Sequence, residues 1–410
     1  MQDTLFEIPE AQRLFVRFDS EMDVQKFSDR IGLDVSHLSE LTYPTMNETL
    51  GSSPRQRSGS SKNNIWREHW VSLPKYEQER LEPYKLLVMY IDDDEEVRRR
   101  LSDALEQVIT NKTKSVWYPQ LERGKHSHLR WVDKTGEQTK YPVYVISKGR
   151  PSRCITSREL DKMGVAHKVV VEPQEYNEYA DTIGADKLLV LPFSNLGQGS
   201  IPARNWVWEH SVAEGHEWHW ILDDNIEAFY RMLENRIIRL EGTAGFRAVE
   251  RLVSRYDNVA QAGLNYEKFC KYTDPVPAFT LNTRVYSCIL IRNDTPFRWR
   301  GRYNEDTDLS LRILKSGRCT LLVNAFLAGK VTTQRMKGGN TDEVYVDEDD
   351  RRAFAESLRD QHPDVVRVTR KFNRWHHHVD YSAFKMNHLR RITDVPNSID
   401  EMGLELETRC

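Results

Sequence analysis

The chain has 410 residues, 39% hydrophobic and 30% charged, with 59 Lys/Arg against 62 Asp/Glu and a formal net charge of −3. That length suits two or three domains of a soluble globular protein, and the charge balance excludes a globally basic nucleic-acid binder. Any contact with a polyanion has to come from a local patch. No stretch approaches a membrane span, and the start "MQDTLFEIPE" has neither the basic nor the apolar region of a signal peptide, so the expected compartment is the cytoplasm (a host's, if the protein is viral). Cys154, Cys270, Cys288, Cys319 and Cys410 are odd in number and lack metal-ligand spacing, and they read as reduced thiols.

The N-terminal third contains a weak internal repeat. "LFVRF" (14–18) and "LLVMY" (86–90) both predict strands, both precede an acidic helical stretch, and both lead to a Tyr-Pro pair, Tyr43-Pro44 and Tyr118-Pro119. The expected organisation is a small α/β module at 1–46, a Ser/Gly/Asn-rich flexible linker at 47–64 and a second small α/β module at 65–140. The "ITNKTKSVWYP" stretch (109–119) is either a strand with a polar start or a lysine–aromatic surface for nucleic acid.

A different regime begins at Tyr141. "YPVYVISKGRP", "HKVVVEP", "KLLVLPF" and "WHWILDD" alternate with helical stretches as far as Arg231. This rhythm predicts a parallel, doubly wound α/β sheet over 141–395, with 396–410 as a tail. Such sheets bind ligands outside the carboxyl ends of their strands, where Ser147-Lys148-Gly149-Arg150, Glu172 and Asp223-Asp224 fall. Two adjacent carboxylates after an apolar strand need solvent, a partner or a cation. They suit Mg²⁺ or Mn²⁺ shared with a diphosphate, although Asp224 or Asn225 could equally cap a helix starting at Ile226. "NEDTDLSLRILKSG" places Glu305, Asp306 and Asp308 ahead of an amphipathic helix that Gly317 stops. Three acids ahead of a helix either complement its dipole or, since one cap needs only one of them, offer a general base for an acceptor hydroxyl.

A strand ending in "ILDDN", followed by "NEDTDLSLRILKSG", resembles nucleotide-sugar glycosyltransferases of the GT-A fold. More narrowly, "YVISKGRP", "VVVEPQEYNEYA", "RNWVWEHSVAEGHEWHWILDDNI", "NEDTDLSLRILKSG", "MKGGNT" and "WHHHVDYSAF" resemble the TET/JBP-associated glycosyltransferases. That family includes phage enzymes that add sugars to 5-hydroxymethylpyrimidines in DNA. The resemblance covers about residues 141 to 390. It implies a Rossmann-like, mostly parallel sheet with helices on both faces, a donor such as UDP-glucose, and a Mn²⁺ or Mg²⁺ cofactor. Asp223 and Asp224 then anchor metal and diphosphate, with one of the His376–His378 run, His376 or His378 above all, as a further ligand. Asp306 is the implied base, beside Glu305, with Asp308 as its alternate. Ser147, Lys148, Gly149, Arg150, Glu172, Arg204, Asn205, Lys337, Gly338 and Gly339 fall where the nucleotide sugar is held.

Arg298, Arg300 and Arg302 precede the acceptor acids, and from Asp364 to Arg391 seven Lys/Arg, among them Arg370 and Lys371, face two Asp. These suit a DNA backbone, or else a solvated face with ordinary ion pairs. Two other functions stay open: the same chemistry on a glycan, protein or RNA acceptor, and a DNA-binding protein with an inactive core. The N-terminal modules are expected to contact DNA or a protein partner.

Overall fold

A computed structural model describes residues 11–44, 47–49, 65–79, 83–120, 126–270, 275–301, 303–331, 348–371 and 374–409. The chain forms two units, Met1–Ser61 with Arg80–Lys125, and Lys62–Glu79 with His126–Cys410.

In the first unit each repeat supplies a strand, a helix and a strand. The first gives β1 (Gln12–Phe18), α1 (Glu21–Ile31), β2 (Glu40–Tyr43) and a short β3 (Asn47–Thr49). After α2 (Ile65–His69), which belongs to the second unit, the other gives β4 (Lys85–Ile91), α3 (Glu95–Leu105) and β5 (Ser115–Tyr118). Side chains of Ser20 and Asp94 cap the two helices. The repeats do not fold as separate modules. The sheet order is β3-β2-β4-β1-β5, so each repeat's second strand pairs in parallel with the other repeat's first. Leu14, Val16, Phe18, Leu87, Met89 and Ile91 meet Phe27 and Leu101 in one core. A strand–helix–strand piece cannot close a core alone; exchanging edge strands lets two such pieces do it. Of the expected linker, Asn47–Thr49 is a strand and 50–64 lies outside the described residues.

The second unit is built on a large sheet. Its strands are β6 (Leu129–Asp133), β7 (Val143–Ile146), β8 (Lys168–Val171), β9 (Leu188–Val190), β10 (Trp218–Asp223), β11 (Ile226–Leu233), β12 (Arg236–Glu241), β13 (Val259–Tyr266), β14 (Phe279–Leu281), β15 (Cys288–Arg292), β16 (Cys319–Lys330) and β19 (Leu404–Thr408). A separate hairpin is made by β17 (Val366–Lys371) and β18 (Arg374–Val379). The sheet order is β19-β6-β12-β11-β16-β13-β15-β10-β7-β8-β9, with β14 on β16. The strands β10-β7-β8-β9 are all parallel, as the strand–helix rhythm predicts. Beyond β10 antiparallel pairs predominate, with β11 and β12 joined directly as a hairpin.

Alternate residues of the parallel strands enter two different cores. Val143, Val145, Trp220 and Leu222 join one with α4 (Ile155–Lys162) and α7 (Ala244–Val253). Tyr144, Val170 and Ile221 join the other with α6 (Ile201–Ala213) and α8 (Glu305–Lys315). The sheet is therefore covered on both faces, which is why its strands read as unbroken apolar runs. A short α5 (Tyr176–Ile183) follows β8, and α9 (Glu348–Gln361) precedes the hairpin.

Three expectations change here. The segment after Asp224 is a strand: Glu234 and Asn235 both have positive φ (50° and 57°), which makes a tight two-residue hairpin turn into β12. Residues 396–410 are not a tail, since β19 pairs β6 and Met402 and Leu404 are buried. The unit boundary does not fall at 140/141. Trp70, Leu73 and Tyr76 lie in the large core, and Arg247 holds Asp133 of β6 at 2.8 Å. Cys154, Cys270, Cys288 and Cys319 are free and buried. Among the described residues no helix is long and apolar enough to cross a membrane.

Candidate active site

Because β7, β8, β9 and β10 run parallel, their carboxyl ends share one edge of the sheet. A cleft of about 580 Å³ opens there. Its lining includes Ser147 to Arg150 after β7, Glu172 and Glu175 after β8, Arg204 on the first turn of α6, and Asp223 and Asp224 at the end of β10. From the antiparallel half come Tyr266, Arg284, Tyr286, Ser287 and Lys330, and from the start of α8 come Glu305 and Asp306. Two lining residues without the excuse of glycine, Ser287 and Asn304, have left-handed backbones (φ 61° and 57°). Strain of that kind persists where the surroundings hold it for a purpose.

The two aspartates of β10 have different partners. Asp223 Oδ1 accepts from Arg204 Nη2 at 2.9 Å, and its Oδ2 accepts from Lys330 Nζ and Ser287 Oγ, both at 2.6 Å. Burial would raise the Asp223 carboxyl, but the Lys330 and Arg204 charges outweigh it and hold it well below the usual carboxylate range. Asp224 is held by Arg150 Nη1 at 2.7 Å and Ser147 Oγ at 2.8 Å, and burial raises it. Tyr179 supports this pair, with its hydroxyl 2.7 Å from Ser147 Oγ and accepting from the Arg150 amide at 3.0 Å. The register of β11 on β16 sets Ile226 opposite Lys330, which is how the lysine reaches the end of β10.

Arg204 links this cluster to α8. Its guanidinium donates to Asp306 Oδ1 at 3.3 Å as well as to Asp223, and it lies 4.6 Å over the Trp299 ring. Burial pushes the Asp306 carboxyl up to about 7, against the pull of Arg204. One guanidinium shared between two carboxylates cannot fully compensate both, and Glu305 and Asp223 add to the rise. Asp306 is thus a carboxyl poised near neutrality in a cleft, as a general base should be.

Several expected residues lie elsewhere. Asp308 faces away from the cleft, only 1% exposed, and accepts from Arg300 (3.0 Å) and Arg312 (2.7 Å) with His362 at 2.8 Å. It is a structural acid. Asn205 spends its amide on the backbone of Trp299, donating at 2.9 Å and accepting at 2.8 Å. Arg298 is paired with Glu209 at 2.6 Å. Trp299 itself is buried. Lys337, Gly338, Gly339 and Arg302 lie outside the described residues.

His376 and His378 do not line the cleft. The hairpin register pairs them with Thr369 and Arg367, so they share a face with Arg367 and Arg374, cationic company that repels a metal ion. His377 points to the other face. Burial pushes it down to about 4, with the Arg284 charge acting in the same direction. Arg370 and Lys371 lie on β17, with Arg370 5.7 Å from the Trp375 ring. Among the described residues no group of three or more His, Cys, Asp or Glu is arranged to hold a metal ion. The expected metal pair does not fit, because every carboxylate oxygen of Asp223 and Asp224 is already held by a cation or a hydroxyl.

Residue-by-residue reading passed over Lys330, Ser287, Tyr266, Tyr286 and Arg284. Lys330 did carry a signal, since it ends a twelve-residue apolar strand just as Asp223 ends β10.

A family model of TET-associated glycosyltransferases matches residues 141–339. That stretch is similar to the TET-associated glycosyltransferase family. The protein is a glycosyltransferase, and the match ends a few residues past Lys330, so it spans every strand that borders the cleft. Among solved structures, a putative nucleotide-diphospho-sugar transferase from Desulfovibrio desulfuricans G20 is similar at 9% identity, over 48% of this chain and 84% of that one, with a TM-score of 0.30. That likeness is too slight to bear on the transferase's fold. No curated protein matches the chain.

Proposed function

We propose that this glycosyltransferase moves a sugar from a nucleoside diphosphate donor, such as a UDP-sugar, to the hydroxyl of a 5-hydroxymethylpyrimidine in DNA. The observation that carries the reading is Arg204, which ties the end of β10 to Asp306 within one cleft. Donor side and acceptor side are thereby held within a single guanidinium's reach. The turns after β7 and β8, with Lys148 paired to Glu172 at 3.1 Å, suit the nucleoside end of the donor. Asp306 takes the proton of the acceptor hydroxyl as its oxygen attacks the anomeric carbon.

A flat base as acceptor is supported by the opposite wall. Tyr266, Tyr286 and Phe269 form an aromatic group, with centroids 4.5 Å apart for Tyr266–Tyr286 and 6.2 Å for Phe269–Tyr286. Phe269 is 58% exposed, and Arg284 lies 5.0 Å over the Tyr286 ring. Aromatic surfaces of this kind hold an extruded base by stacking, at about 1–3 kcal/mol per base. Arg367, Arg370 and Arg374 on the exposed hairpin suit the phosphate backbone. Arg298 and Arg300, tied to Glu209 and Asp308, suit it less. Recruitment of DNA or of a protein partner falls to the first unit.

The test is direct. The full chain is incubated with DNA containing 5-hydroxymethylcytosine or 5-hydroxymethyluracil and a panel of nucleotide sugars, and the digested nucleosides are weighed. A hexose or pentose increment on the modified nucleoside is expected. Transfer to a glycan, protein or RNA with none to DNA would remove the acceptor from this reading.

A further inference from the structure

The place where nucleotide-sugar enzymes often set a divalent cation is filled here by the protein itself. We infer that Lys330 and Arg204 do the work of that cation, so that the leaving diphosphate is stabilised by two side-chain charges and transfer needs no metal. The inference rests on the donor reading given above. Both side chains line the cleft and converge on Asp223, and Arg204 reaches Asp306 as well. Once Asp306 has taken the acceptor's proton it is neutral, and the two cations then face Asp223 alone as charge builds on the departing diphosphate.

A metal would have to displace this arrangement. At a ligand distance of about 2.1 Å from Asp223 Oδ2, an ion would stand no more than about 5 Å from the Lys330 ammonium, whatever its direction. Lys330 lies 2.6 Å from that same oxygen, and Arg204 holds the other. Swinging either cation away would leave a nearly buried charge without its partner, since the side chains of Arg204 and Lys330 are 6% and 17% exposed. Asp224 offers no alternative, because Arg150 and Ser147 hold its two oxygens. Ser287, which accepts from Lys330 at 2.9 Å and donates to Asp223, is itself held from behind by the Tyr266 hydroxyl. The lysine is therefore placed by a built set of partners.

The step balances without further reagents. The bond between the anomeric carbon and the β-phosphate oxygen breaks, and its electron pair leaves with that oxygen, facing Lys330 and Arg204. The bond from the acceptor oxygen to the anomeric carbon forms, and the acceptor's proton passes to Asp306. Asp223 holds the two cations in position.

Calorimetric titration of the full chain with UDP, and with inorganic pyrophosphate as a probe independent of the base, is compared in EDTA and in Mn²⁺. Electron paramagnetic resonance follows free Mn²⁺ added to the protein alone. Equal affinity in the two buffers and an undiminished free-Mn²⁺ signal are expected. Lys330→Met should weaken pyrophosphate binding about tenfold or more, and Lys330→Arg should largely restore it. Binding that appears only with Mn²⁺ overturns the inference and leaves the donor reading standing. Binding in neither buffer removes both. A folded Lys330→Met that binds pyrophosphate as the wild type does in EDTA also overturns it. The wild-type comparison decides the matter if that variant does not fold.

Discussion

Asp306 and Asp308 stand two residues apart on α8, yet they belong to different regions of the transferase. Asp306 opens on the cleft and shares one guanidinium with Asp223, at 3.3 Å. Asp308 is enclosed by two arginines and a histidine, and the His362 and Arg300 hydrogen bonds outweigh burial and bring it down to about 2. The same side chain is thus pushed in opposite directions by its surroundings. An acid whose oxygens are saturated by cations is structure; one left short of charge beside a cavity is available for chemistry.

The comparison can be broken most sharply by two substitutions. Asp306→Asn keeps size and removes basicity, so transfer should fall about 10²–10⁴-fold while pyrophosphate binding and the melting temperature hardly change. Asp308→Asn should do the reverse. Leaving Arg312 and His362 around a neutral amide should cost about 3–5 kcal/mol in denaturant unfolding, with near-normal turnover per folded molecule. If Asp308→Asn silenced a stable protein, the division between the two acids would be wrong.

Titration sharpens the contrast. With Asp306 pushed up to about 7, its reactive ionised form is lost as pH falls through neutrality, so the transfer rate should have an acid limb near 7. An acid limb near 4 would point to an unperturbed carboxyl. Asp308 behaves oppositely. Its folded-state value of about 2 lies below that of the unfolded chain, so its stabilisation is present above about 4 and is lost as pH falls towards 2. Acid unfolding of Asp308→Asn should accordingly be less steep over that window.

Smaller effects are expected at the arginines. Arg367→Ala and Arg374→Ala should each reduce the salt slope of DNA binding by about 1, read by fluorescence anisotropy at several ionic strengths. Arg300→Ala should leave that slope unchanged and cost about 1 kcal/mol of stability, since the Arg300 side chain is 51% exposed and its ion pair is partly screened. A lost salt slope in Arg300→Ala would move the DNA contact back to the segment before α8.

A shortened chain tests the fold. Starting the protein at Lys140 removes Trp70, Leu73 and Tyr76 from the large core, and β6 from between β12 and β19. Such a chain should aggregate, whereas one that keeps 62–79 and 126–410 retains every element of the second unit.

Much of this was legible in the sequence, because it depended on local patterns. Apolar runs separated by helices determined the parallel strands β7 to β10, and parallel strands place their carboxyl ends on one edge. Hence Ser147 to Arg150, Glu172, Asp223 and Asp224 could be assigned to one cleft from spacing alone. The acids ahead of α8 and its stop at Gly317 were equally local. Long-range pairing decided the rest. The repeats of the first unit are knitted by strand exchange, which no single strand's pattern reveals. Glu234 and Asn235 make a hairpin of the segment that Asp224 or Asn225 could equally have capped as a helix, because two successive left-handed residues favour a two-residue turn. Above all, the partners of each carboxylate come from distant parts of the chain, Lys330 to Asp223 and His362 to Asp308. Residue types two positions apart are alike in sequence, while the charge and burial that set their chemistry exist only once the sheet and helices have packed.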